Sequence, residues 1–331
     1  MRIANLCLGA LALAICSLAT QAADLELPRE GWASWEVAAV DKAPASCCFN
    51  HWDSRQRSVV ACQLDTSNLN MYSGGDATTD RVRVYARFAG GKVTRLKSLS
   101  AGCPVKAASA IRDLGLVDPD DSARWLSAQV KQQGTGDKKS AGQEALAALA
   151  LHRGNLARDE LIRFARHDSR VETRKDALFW LSQSRGEEGA EITSSVMFSD
   201  KEPEVRKHGA FALAQSESPR VAPDLIRLGN SDKVADVRSQ AWFWLAQSGA
   251  AEAESAISLA IRKEPDEEVR EKAIFALSQL PDERSVKALI TTAEDQTLSR
   301  EQRRKAVFWL SQSASGDAVA YLDKVLAHAA R

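Results

Sequence analysis

The six residues FWLSQS occur at 179–184 and again at 308–313, and FWLAQS occupies 243–248. A catalytic motif is rarely needed three times in one chain, whereas a structural unit often is. Aligning the surrounding residues gives RKDALFWLSQ (174–183), RKHGAFALAQ (206–215), RSQAWFWLAQ (238–247), REKAIFALSQ (270–279) and RRKAVFWLSQ (303–312), at offsets of 32, 32, 32 and 33 residues. A weaker copy, QEALAALALH (143–152), sits in the same register. Each copy follows another helical stretch, such as ARDELIRFARH, APDLIRLG or ERSVKALITTA. The unit is a helix, a short turn and a second helix, repeated about six times. A last amphipathic stretch, GDAVAYLDKVLAHAAR, is placed to cover the final unit's open apolar face.

The segment DKEPEVRKHGAFALAQ (200–215) resembles the HEAT-repeat pattern, in the short variety also found in phycobilisome-lyase-type repeats: an Asp, often a Pro, Val-Arg, a small residue, then Ala-Leu. The resemblance spans roughly residues 119–331 and implies a right-handed α-solenoid of about six helix pairs, with the second helices on the concave side. Such repeats generally serve as protein-binding scaffolds, so it also implies a protein or peptide partner. An Asp/Arg ladder between turns is implied as well, with Arg174, Arg206, Arg238, Arg270 and Arg303 following Asp168, Asp200, Asp232, Glu264 and Thr297. The stretch RVRVYARFAGGKVTRLKSLSAGCPV, followed by VDPDDSARWL, is similar to the entry of exported bacterial HEAT-repeat proteins.

On a helix each residue advances about 100°. In VRKHGAFALAQS this gathers Val205, Gly209, Leu213 and Ser216 on one buried face, with Ala212 at its margin. Trp180, Trp244 and Trp309 take the Ala212 position in alternate units and Ala276 takes it in another, a large–small alternation suited to interior interdigitation. Phe211 falls about 150° from the centre of that face, and Phe179, Phe243, Phe275 and Phe308 match it. Gln183, Gln215, Gln247, Gln279 and Gln312 lie four residues further along on the same side. Two readings stand: an exposed groove that holds a partner, or rings stacked between neighbouring helices to fix the curvature.

Ahead of the repeats lies a different kind of chain. Arg2 and LCLGALALAICSLA form a signal-like run ending in LATQAAD, where Thr20 and Ala22 suit cleavage after Ala22, or alternatively after Ala23. Ile15 is bulky for a lipidated Cys16, so export to the periplasm or beyond as a soluble protein is expected, without membrane insertion once the signal is cleaved. Residues 23–115 read as a small antiparallel β domain and 116–331 as the solenoid. The runs WASWEVAAV, SVVACQL, RVRVYARF and KVTRLKSL have strand character, and Gly90-Gly91 suits a hairpin. DKAPAS and TSNLNMYSGGDATT read as loops. The mature chain keeps Cys47, Cys48, Cys62 and Cys103, four cysteines that suit two disulfides in an oxidising compartment. A bridge between adjacent residues is strained, so Cys47 and Cys48 each pair with either Cys62 or Cys103.

Lys plus Arg number 44 and so do Asp plus Glu, which leaves no excess charge to steer the 331-residue chain to nucleic acid. His51, His152, His167, His208 and His328 show no metal-ligand spacing, and no nucleophile elbow, phosphate loop or dinucleotide fingerprint is present. The sequence therefore carries no enzyme motif and calls for no cofactor or metal. A lyase role does not follow from the repeat's name, because bilin lyases act on a cytoplasmic pigment. The rivals to a binding scaffold are an enzyme centred on Cys47, Cys48 and His51, and a purely structural envelope spacer.

Overall fold

The computed structural model describes residues 25–50, 58–66, 71–132, 141–329. The signal-like segment 1–22, with Cys16, and His51 lie outside the described residues. The first part is a mixed sheet of β1 (Gly31–Asn50), β2 (Ser58–Val60), β4 (Met71–Ala89), β5 (Lys92–Ser100) and β7 (Ile111–Leu116), with β3 (Cys62–Gln63) and β6 (Val105–Lys106) paired separately. Their order is β2-β1-β4-β5, and β7 joins β1 in parallel. Alternation along β1 sends Ala33, Trp35, Val37 and Ala39 to one face, all fully buried. Trp32 points to the other face, where it packs with Cys48, Cys62, Leu64, Tyr85, Leu99 and Cys103. Gly90 and Gly91 have φ of 58° and 76°, as the two-residue turn between β4 and β5 requires.

Two stretches expected as loops are strand. DKAPAS lies within β1, and Met71–Ala89 forms one strand through most of TSNLNMYSGGDATT. The pairing of β1 with β4 slips between Ala38 and Ala43 and again between Pro44 and Ser46, with Lys42 in the left-handed region at φ 58°. Such slips absorb a proline and polar residues without ending the strand. Composition alone reads them as loop because the ladder partner that satisfies them is distant in sequence.

Cys47 bonds Cys103 and Cys48 bonds Cys62. The pairing of β1 with β2 sets Cys48 opposite Val60, two residues from Cys62, and leaves Cys47 to Cys103. Native protein is expected to show no free thiol under denaturing, non-reducing conditions among these four. Reduction should destabilise the sheet by about 2–5 kcal/mol per bridge while the helical circular-dichroism signal persists. Two or more titratable thiols would contradict it.

The helices are α1 (Pro119–Gln132), α2 (Ala141–Leu151), α3 (Asn155–His167), α4 (Val171–Ser184), α5 (Gly186–Ser199), α6 (Pro203–Ala214) and α7 (Val221–Ser231). Then follow α8 (Ala235–Gln247), α9 (Ala253–Lys263), α10 (Glu267–Ser278), α11 (Asp282–Glu294), α12 (Arg300–Leu310) and α13 (Gly316–Ala329). They make six consecutive pairs and a thirteenth helix, an α-solenoid as the repeat period predicts. The second helices α4, α6, α8, α10 and α12 pack directly on one another, whereas the first helices touch less closely. The second helices are thus the inner layer. Val205, Ala212 and Leu213 are fully buried, and Gly209 is close-packed, since a Cβ there would lie 2.8 Å from Met197 Cβ. Helix α13 lies on the last unit through Ala318, Tyr321 and Leu322.

The sheet is not a separate module. Ala33, Trp35, Val37 and Val84 share one core with Leu126, Leu146, Leu149 and Leu161, so the sheet caps the first end of the solenoid. A buried chain of hydrogen bonds crosses this junction. Trp35 Nε1 donates to Ser122 Oγ (2.7 Å), Ser122 Oγ donates to His152 Nε2 (2.7 Å), and His152 Nδ1 donates to Ala148 O (2.7 Å). Arg153 N adds a bond to Ala38 O (3.0 Å). Burial pushes His152 down to about 4, since no carboxylate compensates the lost hydration and Arg185 opposes a second positive charge.

This gives the junction a pH dependence of definite sign. Between pH 6.5 and about 4 the unfolded chain protonates His152 and the folded chain does not. Stability therefore falls as pH drops through that window. Going from pH 7 to 5 should cost about 2 kcal/mol from this residue. Urea denaturation at both pH values should show that loss in the wild type and a smaller one in His152→Gln; equal losses would remove His152 as the cause.

Candidate inner-face site

The phenylalanine position faces the inner layer in every unit, and the rings meet from one helix to the next. Phe179 stacks on Phe211 (5.9 Å between centroids, 5° between planes), and Phe243 stacks on Phe275 (6.0 Å, 9°). Trp244 bridges the intervening step, 4.8 Å from Phe211 and 4.9 Å from Phe243. Trp309 does the same between Phe275 (4.8 Å) and Phe308 (5.0 Å), and Trp180 meets Phe179 edge-on at 5.1 Å. Eight rings thus form one unbroken ladder across five helices. Offset and edge-to-face pairs of this kind add roughly 0.5–1.5 kcal/mol each beyond their buried area.

The alternation of Trp and Ala takes a different form from that expected. Ala212 and Ala276 are fully buried, but Trp180, Trp244 and Trp309 are only half-buried. The large ring does not fill the interior; in Trp244 and Trp309 it leans out over the phenylalanine of the preceding unit. Among the repeat helices the fully buried tryptophan is Trp242, one residue before Phe243, whose indole packs where a Cβ on Gly229 would lie 2.5 Å away. Its position is apolar in all five units (Leu178, Ala210, Trp242, Ile274, Val307), a signal available in the sequence.

Phe179, Phe211, Phe243 and Phe275 are half-buried and Phe308 is 52% exposed. The row is therefore both packing and surface. The glutamines border it: Gln183, Gln215, Gln247 and Gln312 are exposed and Gln279 is half-buried. Gln183 Nε2 donates to Gln215 O (3.1 Å) and Gln247 Nε2 to Gln279 Oε1 (3.4 Å), while Gln312 turns to Ser311 Oγ (3.1 Å). Mixed charges line the rim. Lys207 bridges Glu204 and Asp236 (2.7 and 2.5 Å), and Lys272 bridges Asp236 and Glu268 (3.3 and 2.9 Å). Near the last units Phe275, Phe308 and Trp309 floor an open depression of about 540 Å³ edged by Glu271, Lys272, Arg304 and Lys305.

His208 lies against Phe211 (5.2 Å), and its Nε2 is buried with no hydrogen-bond partner among the described residues. Burial and the nearby Lys175 ammonium push it down to about 4, which keeps the ring neutral at pH 7.

The turn edge carries the ion-pair ladder. Arg174 holds Asp200 through two bonds (2.8 and 3.1 Å), Arg206 holds Asp232 (2.7 and 2.9 Å), and Arg238 holds Glu264 (2.9 and 2.8 Å). Each arginine reaches the acidic residue of the following unit, and each acid also accepts from a backbone N–H two residues on. Asp168 has no such arginine before it and pairs with Arg170 (2.9 Å).

Among the described residues, no group of three or more His, Cys, Asp or Glu side chains is arranged to hold a metal ion. Among the same described residues, no helix is long and apolar enough to cross a membrane. Cys47 and Cys48 are both disulfide-bonded, so in this state neither offers a thiolate.

With the helix pairs, their period and the turn ladder in view, the class is defined: this is an α-solenoid of helix pairs with a disulfide-linked sheet at its first end. Residues 158–246 match the model of HEAT repeats, and residues 269–295 match that of the PBS lyase HEAT-like repeat. No curated protein matches the chain. Among solved structures, human deoxyhypusine hydroxylase in complex with glycerol is similar at 16% identity, over 62% of this chain and 90% of that one, with a TM-score of 0.29. YibA of Escherichia coli is similar at 20% identity, over 62% of this chain and 75% of that one, with a TM-score of 0.36. At these TM-scores neither protein speaks to the chemistry of this one.

Proposed function

We propose that this protein is an exported, non-enzymatic scaffold that holds a protein or peptide partner against the inner face of its solenoid. The observation that carries the reading is the unbroken aromatic ladder, half-exposed along its length and open at Phe308, between a row of amides and a mixed-charge rim. Aromatic edges supply apolar contact area, and the amides and charges supply orientation. HEAT repeats commonly mediate protein interactions, which supports the same reading. Two disulfides are consistent with an oxidising compartment, and the signal-like first residues support export to the periplasm or beyond.

The mutual stacking of the rings favours one other reading, a structural spacer whose ladder only stiffens the array. Phe211 touches three other aromatic rings and Phe243 two, so serine at either position costs stability as well as surface. Phe308, half open, is the cleaner probe. A photo-crosslinking residue placed at Phe308 or Gln247 should capture one discrete envelope protein, and one placed at Glu191 or Lys287 on the first helices should not. Phe308→Ser should abolish capture at Gln247 while shifting stability by no more than about 1 kcal/mol. Capture of nothing from the inner positions, with the protein folded and exported, would leave the spacer.

A further inference from the structure

The arginines at the turn edge are held in two halves. In Arg174, Arg206 and Arg238, Nη1 donates to a backbone carbonyl of the preceding turn (2.8, 3.1 and 2.9 Å), and the Nε–Nη2 edge takes the carboxylate of the next turn. At α10 only the first half is present. Arg270 Nη1 donates to Glu264 O (2.6 Å) and Pro265 O (3.1 Å), which fixes the guanidinium as in the complete rungs. Its Nε is sealed from solvent and has no hydrogen-bond partner among the described residues.

The next turn explains the gap. The acids of the complete rungs cap α5, α7 and α9, and Asp295 holds that place after α11, but the chain is one residue longer at this step. The nearby Asp295 is engaged elsewhere: it accepts from Arg262 Nε (2.8 Å), from the Thr297 hydroxyl (2.6 Å) and from Thr297 N (2.9 Å). Arg303, one repeat further, shows the same half-rung. Its Nη1 donates to Leu298 O (2.6 Å), and no carboxylate meets it among the described residues. A desolvated guanidinium edge without an acceptor is costly, and its planar fork fits a carboxylate bidentately. The three complete rungs show which ligand this geometry takes.

We propose that the open fork of Arg270 is an acceptor site for a carboxylate supplied in trans, with Arg303 as a second contact one repeat along. The carboxylate comes either from an acidic side chain of a partner peptide or from a small free carboxylate. The site lies at the turn edge and stands apart from the inner-face reading.

The test uses the full mature protein and two probes. One is sodium acetate, titrated against chloride at constant ionic strength with the melting temperature as readout. The other is a labelled peptide of this chain's own rung, SDKEPEV (199–205), beside its carboxylate-free counterpart SNKQPQV, read by anisotropy. Saturable binding of SDKEPEV, at least tenfold weaker for SNKQPQV, assigns an acidic segment; a saturable acetate response without peptide binding assigns a free carboxylate. Either response should weaken at least tenfold in Arg270→Lys, which keeps the charge and loses the fork. It should also weaken in Arg262→Ala, which releases Asp295, the acid in the rung's own capping place, to meet the fork in cis. The proposal is overturned if neither probe saturates, or if both variants respond like the wild type. Should Arg270→Lys not fold, Arg262→Ala decides alone.

Discussion

Arg206→Ala should destabilise the solenoid by about 3–5 kcal/mol, the usual cost of stranding one member of a buried ion pair. The side chains of Arg206 and Asp232 are 5% and 6% exposed, and two hydrogen bonds join them. Removing the arginine leaves Asp232 desolvated, with its bond from Val234 N (2.8 Å) as remaining support. Replacing both residues, Arg206→Met with Asp232→Asn, should recover part of the loss because no buried charge is stranded. Arg270→Ala supplies the contrast. It strands no carboxylate and forfeits only bonds to backbone carbonyls, so about 1 kcal/mol is expected. Chemical denaturation of the four proteins measures the difference; equal costs at Arg206 and Arg270 would show that the carboxylate half of a rung contributes nothing.

Trp242→Ala should cost about 3–5 kcal/mol, as large-to-small changes at fully buried aromatic sites do. The indole is 1% exposed and packs closely on the Gly229 backbone of the preceding helix, so neighbours cannot close the void without moving that helix. Its Nε1 has no hydrogen-bond partner among the described residues, which makes Trp242→Phe milder than its lost volume implies. Trp244→Ala, two residues on, removes a half-buried ring that spans Phe211 and Phe243, and about 1–2 kcal/mol is expected for the two aromatic contacts. Thermal melts of the two alanine variants should separate them by several degrees. A Trp244 variant that melts below the Trp242 variant would return the alternating tryptophans to the interior, where the sequence pattern alone places them.

That reversal shows where reading a repeat falls short. Position by position, the 32-residue period separates buried from exposed faces, and Val205, Ala212 and Leu213 lie where it puts them. The Phe and Gln rows were legible for the same reason. A helical wheel gives an angle, however, and no knowledge of what lies opposite. Trp244 sits at the margin of the buried face on the wheel, and only the placement of Phe211 on the neighbouring helix draws it outward. The fork of Arg270 was likewise visible as one more arginine in a row; its open edge exists because Asp295 turned to Arg262.

By itself the sequence determined the helix–turn–helix unit, its number, its buried face and the presence of two disulfides, since each follows from local periodicity or from counting. The tertiary structure decided what depends on distant partners. It chose Cys47–Cys103 and Cys48–Cys62 from the possible pairings, because the pairing of β1 with β2 sets Cys48 opposite Val60, two residues from Cys62. It extended β1 and β4 through polar residues, because a ladder partner supplies hydrogen bonds that composition does not show. And it fused the sheet to the first helices through Trp35, Ser122 and His152, three residues far apart in the chain whose polar atoms, once buried, had to find one another.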